Sequence, residues 1–331
     1  MAADLFLGAD AGGTGIKYVV THRDGRVLAR DEVPTSATDL AGSMARLTAA
    51  ASRTIRELFS AGATSASVDL LAGVGLACAG IVDPRRGTLG RSPNLPGWEN
   101  NDLAAALRTA FPELPTALVN DVNGALYGEF KAGAGRGCRN LVMVALGTGV
   151  GGGVIVDGEL LVGAHYGAGE VGHMVLDVQG PICTCGGRGC LESWAGSTAL
   201  RRRARELVAT GTASEALTHL VKGDSEALTP RALARLAETG DEQANELFAA
   251  AGRRLGQAVA ILVNVLDPDR VIIGGGVAQA GDLLLEPCRQ TAPSMIMATD
   301  AAQVPIVQAE LGPHAAAVGA ACLAREQERA G

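Results

Sequence analysis

The chain has 331 residues, 47% of them hydrophobic and 19% charged, a balance that supports a large buried core and excludes disorder. A net charge of −7 with no basic stripe argues against a nucleic-acid partner, and the run Arg201-Arg-Arg-Ala-Arg205 sits in a helical pattern as a solvated face. Met1-Ala-Ala-Asp-Leu5 lacks the basic start of a signal peptide, and the longest uncharged stretch, Asn140–Val156, is too short to span a membrane. The expectation is a soluble cytoplasmic protein with reduced thiols and no membrane partner.

In chain order, Leu5–Gly8 reads as a short apolar strand that meets Asp10-Ala-Gly-Gly-Thr14, and Ile16–Thr21 resumes as strand. His22-Arg-Asp-Gly25 turns the chain into a third strand, Arg26–Glu32. Residues 39–60 have helical spacing. Val74–Ala77 is strand-like and runs into Ala79-Gly-Ile-Val-Asp-Pro84. Leu103–Phe111 is helical and Thr116–Val119 a strand. Asn120-Asp121 opens a helix to about Lys131, with Asp121 as its N-cap.

The next stretch repeats the beginning. Leu141–Leu146 is an apolar strand, Gly147-Thr-Gly-Val-Gly-Gly-Gly153 a glycine-rich turn, and Val154–Val156 a strand; Asp157-Gly158 then turns into Glu159–Val162. The order strand, Gly/Thr turn, strand, Asp-Gly turn, strand thus occurs twice, about 135 residues apart. An internal duplication predicts two similar α/β lobes around a cleft, the usual place for a ligand. Residues 198–209 and 245–265 are helical, and Asp267-Pro268 stops the second of these. Val271-Ile-Ile-Gly-Gly-Gly276 is a strand ending in a glycine turn, and His314–Arg329 an Ala-rich helix. No low-complexity linker interrupts the chain.

Three features carry chemistry. His173, Cys183, Cys185 and Cys190 place one imidazole and three thiols within eighteen residues. Soft thiolates with an imidazole suit tetrahedral zinc, and four protein ligands close the site as a structural one. Gly186, Gly187 and Gly189 let the backbone wrap around it. The rival readings are free cysteines or a disulfide, and the seven cysteines of the whole chain make chance clustering a poor explanation. Second, Gly12-Gly13-Thr14 and Gly147-Thr148-Gly149 each offer backbone N–H groups and a hydroxyl in a tight turn, which suits phosphate oxygens as well as a plain hairpin. The fingerprint Gly147-x-Gly149-x-x-Gly152 precedes a strand rather than a helix, so it is not a dinucleotide site. Third, Asp121 at a strand-to-helix junction can accept a proton from a substrate hydroxyl, or can simply cap its helix. Glu170, His173 and Glu192 bracket the cysteine loop and suit a multi-hydroxyl ligand, or only support the metal.

Asp10-x-Gly-Gly-Thr14, Asn120-Asp121, Leu146-Gly-Thr-Gly-x-Gly-Gly-Gly153, Glu170-Val-Gly-His173 and Cys183-x-Cys-Gly-Gly-Arg-Gly-Cys-x-Glu192 resemble the ROK family of repressors, open reading frames and sugar kinases, nearly end to end. Their order and spacing are similar to those of its zinc-containing glucokinases. The resemblance implies a duplicated actin/hexokinase-like ATPase fold of the ribonuclease H-like kind. Its smaller lobe would span residues 1–121, with the helix at about 314–331 packing back on it; residues 122–313 would form the larger lobe with the zinc loop. It implies phosphorylation of glucose at the 6-hydroxyl by ATP, with Asp121 as general base and Gly80, Asn94, Asn120, Asp121, Glu170, His173 and Glu192 around the sugar. Asp10, Gly12, Gly13, Thr14 and Lys17, with Gly147, Thr148 and Gly149, would handle phosphates and Mg²⁺, and Gly275 and Gly276 would approach the adenosine. His173, Cys183, Cys185 and Cys190 would hold Zn²⁺, and the assembly would be a homodimer or homotetramer. Gly15 departs from the family, where Lys, Asn or Ser is frequent, and Gly-Thr-Gly-Ile-Lys17 is similar to polyphosphate-using glucokinases. Asn94-Leu-Pro-Gly-Trp98 resembles the sugar-loop segment of the family's glucokinases, which implies glucose over N-acetylmannosamine or fructose, with another hexose such as mannose as an alternative substrate. Family repressors carry a helix-turn-helix ahead of the first strand; with that strand at Leu5, a kinase is expected rather than a sugar-responsive repressor.

Overall fold

A computed structural model describes residues 4–59, 70–223, 227–298 and 300–330. These fall into two compact units: residues 1–137, 162–168 and 310–331, and residues 138–161 and 169–309.

The first unit opens with an antiparallel meander of β1 (Leu5–Ala11), β2 (Gly15–His22) and β3 (Val27–Pro34), followed by helix α1 (Leu40–Phe59). The helix expected over 39–60 is therefore present, its last residue lying outside the described residues. Strand β4 (Leu71–Cys78) pairs parallel to β1. A small hairpin of β5 (Val82–Asp83) and β6 (Thr88–Leu89) and helix α2 (Leu103–Ala110) lead to β7 (Thr116–Asn120), parallel to β4, and to helix α3 (Asp121–Ala132). The sheet order is β3-β2-β1-β4-β7.

The second unit repeats that plan. Strands β8 (Leu141–Leu146), β9 (Val150–Val156) and the two-residue β10 (Glu159–Leu160) form the meander. The cysteine loop and helices α4 (Glu192–Ala195), α5 (Ser197–Ala209), α6 (Glu215–Lys222), α7 (Pro230–Glu238) and α8 (Glu242–Leu266) follow. Strand β11 (Arg270–Gly274), helix α9 (Asp282–Thr291) and β12 (Ile306–Gln308) complete it, in the order β10-β9-β8-β11-β12. Two sheets of identical order bear out the duplication. Each has its own apolar core, with Tyr18, Leu47, Leu76 and Trp98 in the first and Val144, Leu200, Phe248 and Ile273 in the second.

The Ala-rich tail is helix α10 (Ala315–Ala330), packed on α3, β1 and β4 of the first unit. Its composition follows from how closely the backbones approach. A Cβ on Gly8 would stand 1.9 Å from the Ala317 carbonyl oxygen, one on Gly75 2.0 Å from that of Ala320, and one on Gly319 1.8 Å from that of Gly124. Only alanine and glycine fit such contacts. Helix α3, which a boundary at residue 121 assigns to the other lobe, lies under α10 in this unit.

Two expectations need correction. The glycine-rich turn is not seven residues long: Leu146 pairs with Val150, so the turn is residues 147–149 and Gly151–Gly153 lie in β9. Gly152 is glycine because a Cβ there would meet Val171 at 2.5 Å. The cap of α3 is Asn120, not Asp121: the Asn120 side chain accepts from the N–H groups of Val122 and Asn123. Helices α6, α7 and α9 and strand β12 were not expected.

Candidate active site

Asp10 lies near the C-terminal end of β1, opposite Lys17 of β2 and Ala77 of β4, and Lys17 is in turn opposite Glu32 of β3. Burial, and then the charge of Asp121, push the Asp10 carboxyl up to about 7, with Lys17 opposing. Burial followed by the charges of Asp10 and Asp121 likewise holds the Cys78 thiol well above its usual range. One end of this sheet is thus crowded with carboxylates, a setting that favours a cation.

The β1–β2 turn closes through Gly12 N–H to the Gly15 carbonyl at 3.0 Å. Gly13 lets it abut the next loop: a Cβ there would stand 3.0 Å from the Asn94 carbonyl oxygen. A Cβ on Gly15 would stand 2.0 Å from Glu32 Oε1, so the Glu32 side chain fills that space. The loop carrying Asn94 is tied down by buried Trp98, whose Nε1–H donates to the Ser36 carbonyl at 2.9 Å, and by Gly97 N–H to the Ala37 carbonyl at 2.9 Å.

Asp121 is the first residue of α3, and Asn120 aims it. Asn120 Oδ1 accepts from Val122 N–H at 3.0 Å and Asn123 N–H at 3.1 Å. Its Nδ2 donates to the Gly80 carbonyl at 3.0 Å and to Asp121 Oδ1 at 2.8 Å. Gly80 has φ +121°, which only glycine adopts readily, and a Cβ would collide with the Arg91 carbonyl. The first unit therefore gathers Asp10, Gly12, Gly13, Thr14, Lys17, Gly80, Asn94, Asn120 and Asp121 on its turns and strand ends.

In the second unit the turn of Gly147, Thr148 and Gly149 is anchored by the chain after α4. Ser197 N–H donates to the Gly147 carbonyl at 2.9 Å, and Thr198 Oγ1 to that of Thr148 at 3.1 Å. Gly275, at φ +87°, presses on the end of β8, where a Cβ would stand 2.4 Å from the Leu146 carbonyl oxygen. Gly276 borders a cavity of about 530 Å³ lined also by Arg231, Arg235, Glu238 and Gln279. That cavity was illegible in the sequence because its wall is α7.

His173 ends a 3₁₀ turn, Val171–His173, directly after the exposed Glu170. Its ligand nitrogen and the sulfurs of Cys183, Cys185 and Cys190 all lie within 4.8 Å of one another. His173 Nδ1 is 3.7 Å from Cys183 Sγ, and Cys185 Sγ is 3.8 Å from Cys190 Sγ. Ligands about 2.0–2.3 Å from a tetrahedral ion are roughly 3.5–3.8 Å apart, so this donor set fits one. Gly186 and Gly189 make the wrap with φ +91° and +68°, and at Gly189 a Cβ would overlap the Asp177 carbonyl. A bond from Gly187 N–H lowers the Cys185 thiol, whereas burial and the neighbouring sulfurs push Cys190 up to about 12. Three sulfurs this close ionise together only around a cation.

Glu192, the first residue of α4, reaches both features of this unit. Its Oε2 accepts from Val150 N–H at 3.1 Å, and its Oε1 accepts from the Thr184 hydroxyl. Sequence reasoning missed Thr184 and Glu32. An unseen β-bulge between Val20 and Thr21 hid the register that sets Glu32 opposite Lys17.

The chain matches the ROK family over residues 6–327 and belongs to it. It is 34% identical over 328 residues to the glucokinase of Streptomyces coelicolor, covering 98% of each chain. It is 35% identical to the glucokinase of Halalkalibacterium halodurans, covering 99% of this chain and 97% of that one. Among solved structures, a ROK family glucokinase from Streptomyces griseus in complex with glucose and AMPPNP aligns with a TM-score of 0.78 at 32% identity, over 97% of this chain and 99% of that one. The fold is thus the duplicated actin/hexokinase-like one of ROK sugar kinases.

Proposed function

We propose that the protein is an ATP-dependent glucokinase that transfers the γ-phosphoryl group to the 6-hydroxyl of glucose. The carrying observation is the Gly80–Asn120–Asp121 chain, which presents a carboxylate at a strand-to-helix junction with its orientation fixed by four side-chain bonds of Asn120. A sugar hydroxyl is a poor nucleophile at neutral pH, and Asp121 takes its proton as it attacks. Asn120 acts by orienting that base, since its amide bonds are already committed.

In the second unit Glu170, His173 and Glu192 offer polar groups to sugar hydroxyls, and in the first unit Asn94 does. Each glycine turn offers backbone N–H groups suited to phosphate oxygens, and Lys17 adds charge beside the first. Mg²⁺ accompanies ATP, and Asp10 is the carboxyl that a divalent cation would keep ionised. The cavity beside Gly276 takes the nucleoside, which supports a nucleotide donor over polyphosphate. His173, Cys183, Cys185 and Cys190 would hold Zn²⁺, whose contribution is to balance the thiolates and stiffen the loop that carries His173. The site of action is the cytoplasm, where thiols stay reduced, and the assembly is a homodimer or homotetramer, which light scattering would measure.

The direct test crosses glucose, mannose, fructose and N-acetylmannosamine with ATP and polyphosphate in a coupled assay. Glucose with ATP should give the highest kcat/KM. Turnover with polyphosphate alone would overturn the donor, and a higher kcat/KM for another hexose would overturn the acceptor.

A further inference from the structure

We propose that the cysteine loop is a structural part of the donor-phosphate turn, linked through Thr184 and Glu192, and that Thr184 is a positioning residue for nucleotide binding. This rests on the reading of Gly147–Gly149 as a phosphate turn.

Thr184 stands between Cys183 and Cys185, so whatever fixes those sulfurs fixes its backbone. Its hydroxyl donates to Glu192 Oε1, with Cys183 Sγ 3.6 Å from the same oxygen. The other oxygen of that carboxylate accepts Val150 N–H at 3.1 Å, the first amide after the turn. The carboxylate also touches the turn itself: a Cβ on Gly149 would stand 2.2 Å from Glu192 Oε2. From the far end of α4, Ser197 N–H and Thr198 Oγ1 take the carbonyls of Gly147 and Thr148. With those carbonyls drawn into the α4–α5 junction, the N–H groups of Thr148 and Gly149 keep no acceptor among the described residues. They are the donors an anionic phosphate needs.

The arrangement also manages charge. A carboxylate beside a phosphate turn repels the donor unless it is held. The Thr184 hydroxyl and the Val150 amide hold it at both oxygens. Loss of the hydroxyl frees Glu192 to swing toward the turn, loosens Val150 and leaves a mobile negative charge where phosphates approach.

The test compares Thr184→Val, which keeps the shape and removes the hydroxyl, with Thr184→Ser, which keeps the hydroxyl. Three quantities are measured without sugar: bound metal per chain, the dissociation constant of a non-hydrolysable ATP analogue with Mg²⁺, and hydrogen exchange of the Val150 amide. Thr184→Val should retain its metal, bind the analogue about 3- to 10-fold more weakly and exchange Val150 faster, as loss of a charge-assisted hydrogen bond implies. Thr184→Ser should restore both. Unchanged affinity and unchanged exchange in Thr184→Val would overturn the proposal, as would loss of the metal, because the residue would then act on the knot itself. A wild-type protein that binds no nucleotide, with Val150 exchange still following Thr184, would remove the phosphate reading while leaving the link.

Discussion

The turn after β1 and the turn after β8 occupy the same place in two sheets of identical order, yet they are supported by different means. The first is surrounded by side-chain charge: Asp10, Lys17, Glu32 and Asp121. The second is held by backbone bonds from the chain after α4 and by Glu192, which runs into the cysteine loop. Duplication supplied two copies of one scaffold, and each copy was then furnished for a separate task. The first unit gathers carboxylates around its turn; the second offers backbone donors and a loop that clusters one imidazole and three thiols.

The largest effect that sharpens the contrast is metal loss. Each unit carries one tryptophan: Trp98 is buried in the first, and half-buried Trp194 lies in the second, where the guanidinium of Arg254 is 4.1 Å from its ring centre. Arg254 also pairs with Asp177, whose carbonyl abuts Gly189 in the cysteine loop. Chelation or Cys185→Ser should cost several kcal/mol of stability, on the order of the contribution of a structural zinc. Emission of Trp194 should change first while Trp98, read in a Trp194→Phe background, stays native. Equal disturbance of both would break the contrast.

A second effect belongs to the first unit alone. Asp10 titrates at about 7 in the folded protein against a usual value near 3.8. Between those values the unfolded chain gives up the proton and the folded one keeps it, so stability falls as pH rises through this window and the loss is complete above about 7. Asp10→Asn should therefore stabilise the protein at pH 8 without divalent cations, by about 2–4 kcal/mol, and hardly at pH 4. Denaturant titrations at the two pH values would check this; equal shifts at both would contradict it.

The smallest effect compares glycines at the two turns. A Cβ on Gly149 would collide with Glu192 Oε2, whereas one on Gly12 would meet only the Gly15 carbonyl oxygen at 3.4 Å. Gly149→Ala should cost about 1–3 kcal/mol and Gly12→Ala less than about 1. Similar thermal shifts for the two would mean that Glu192 does not brace the second turn.

Much of this was legible in the sequence because glycine turns and metal-ligand spacing are local. Asp10, the first turn, Asn120-Asp121 and the cysteine loop lie on the elements their motifs predict, and the second turn starts where predicted but is shorter. What was not legible depends on register and on weakly patterned helices. Among described residues, α6 buries only Leu217, and α9 contains Pro287, so neither shows a long apolar stripe. The cap of α3 was misread because Asn and Asp are equally good caps by type, and only the bonds of Asn120 distinguish them. Thr184 and Glu32 became visible only when loop and strand brought them to Glu192 and Gly15.

The most direct test of the central claim is Asp121→Asn. It keeps shape and hydrogen bonding and removes the capacity to take a proton, together with the charge that raises Asp10. Because Asn120 is the cap, Asp121→Asn should leave the thermal midpoint nearly unchanged. Steady-state kinetics with glucose and ATP should show kcat lower by about 10²–10⁴, with glucose affinity changed much less. A folded Asp121→Asn protein that turns over at near the wild-type rate would contradict the account.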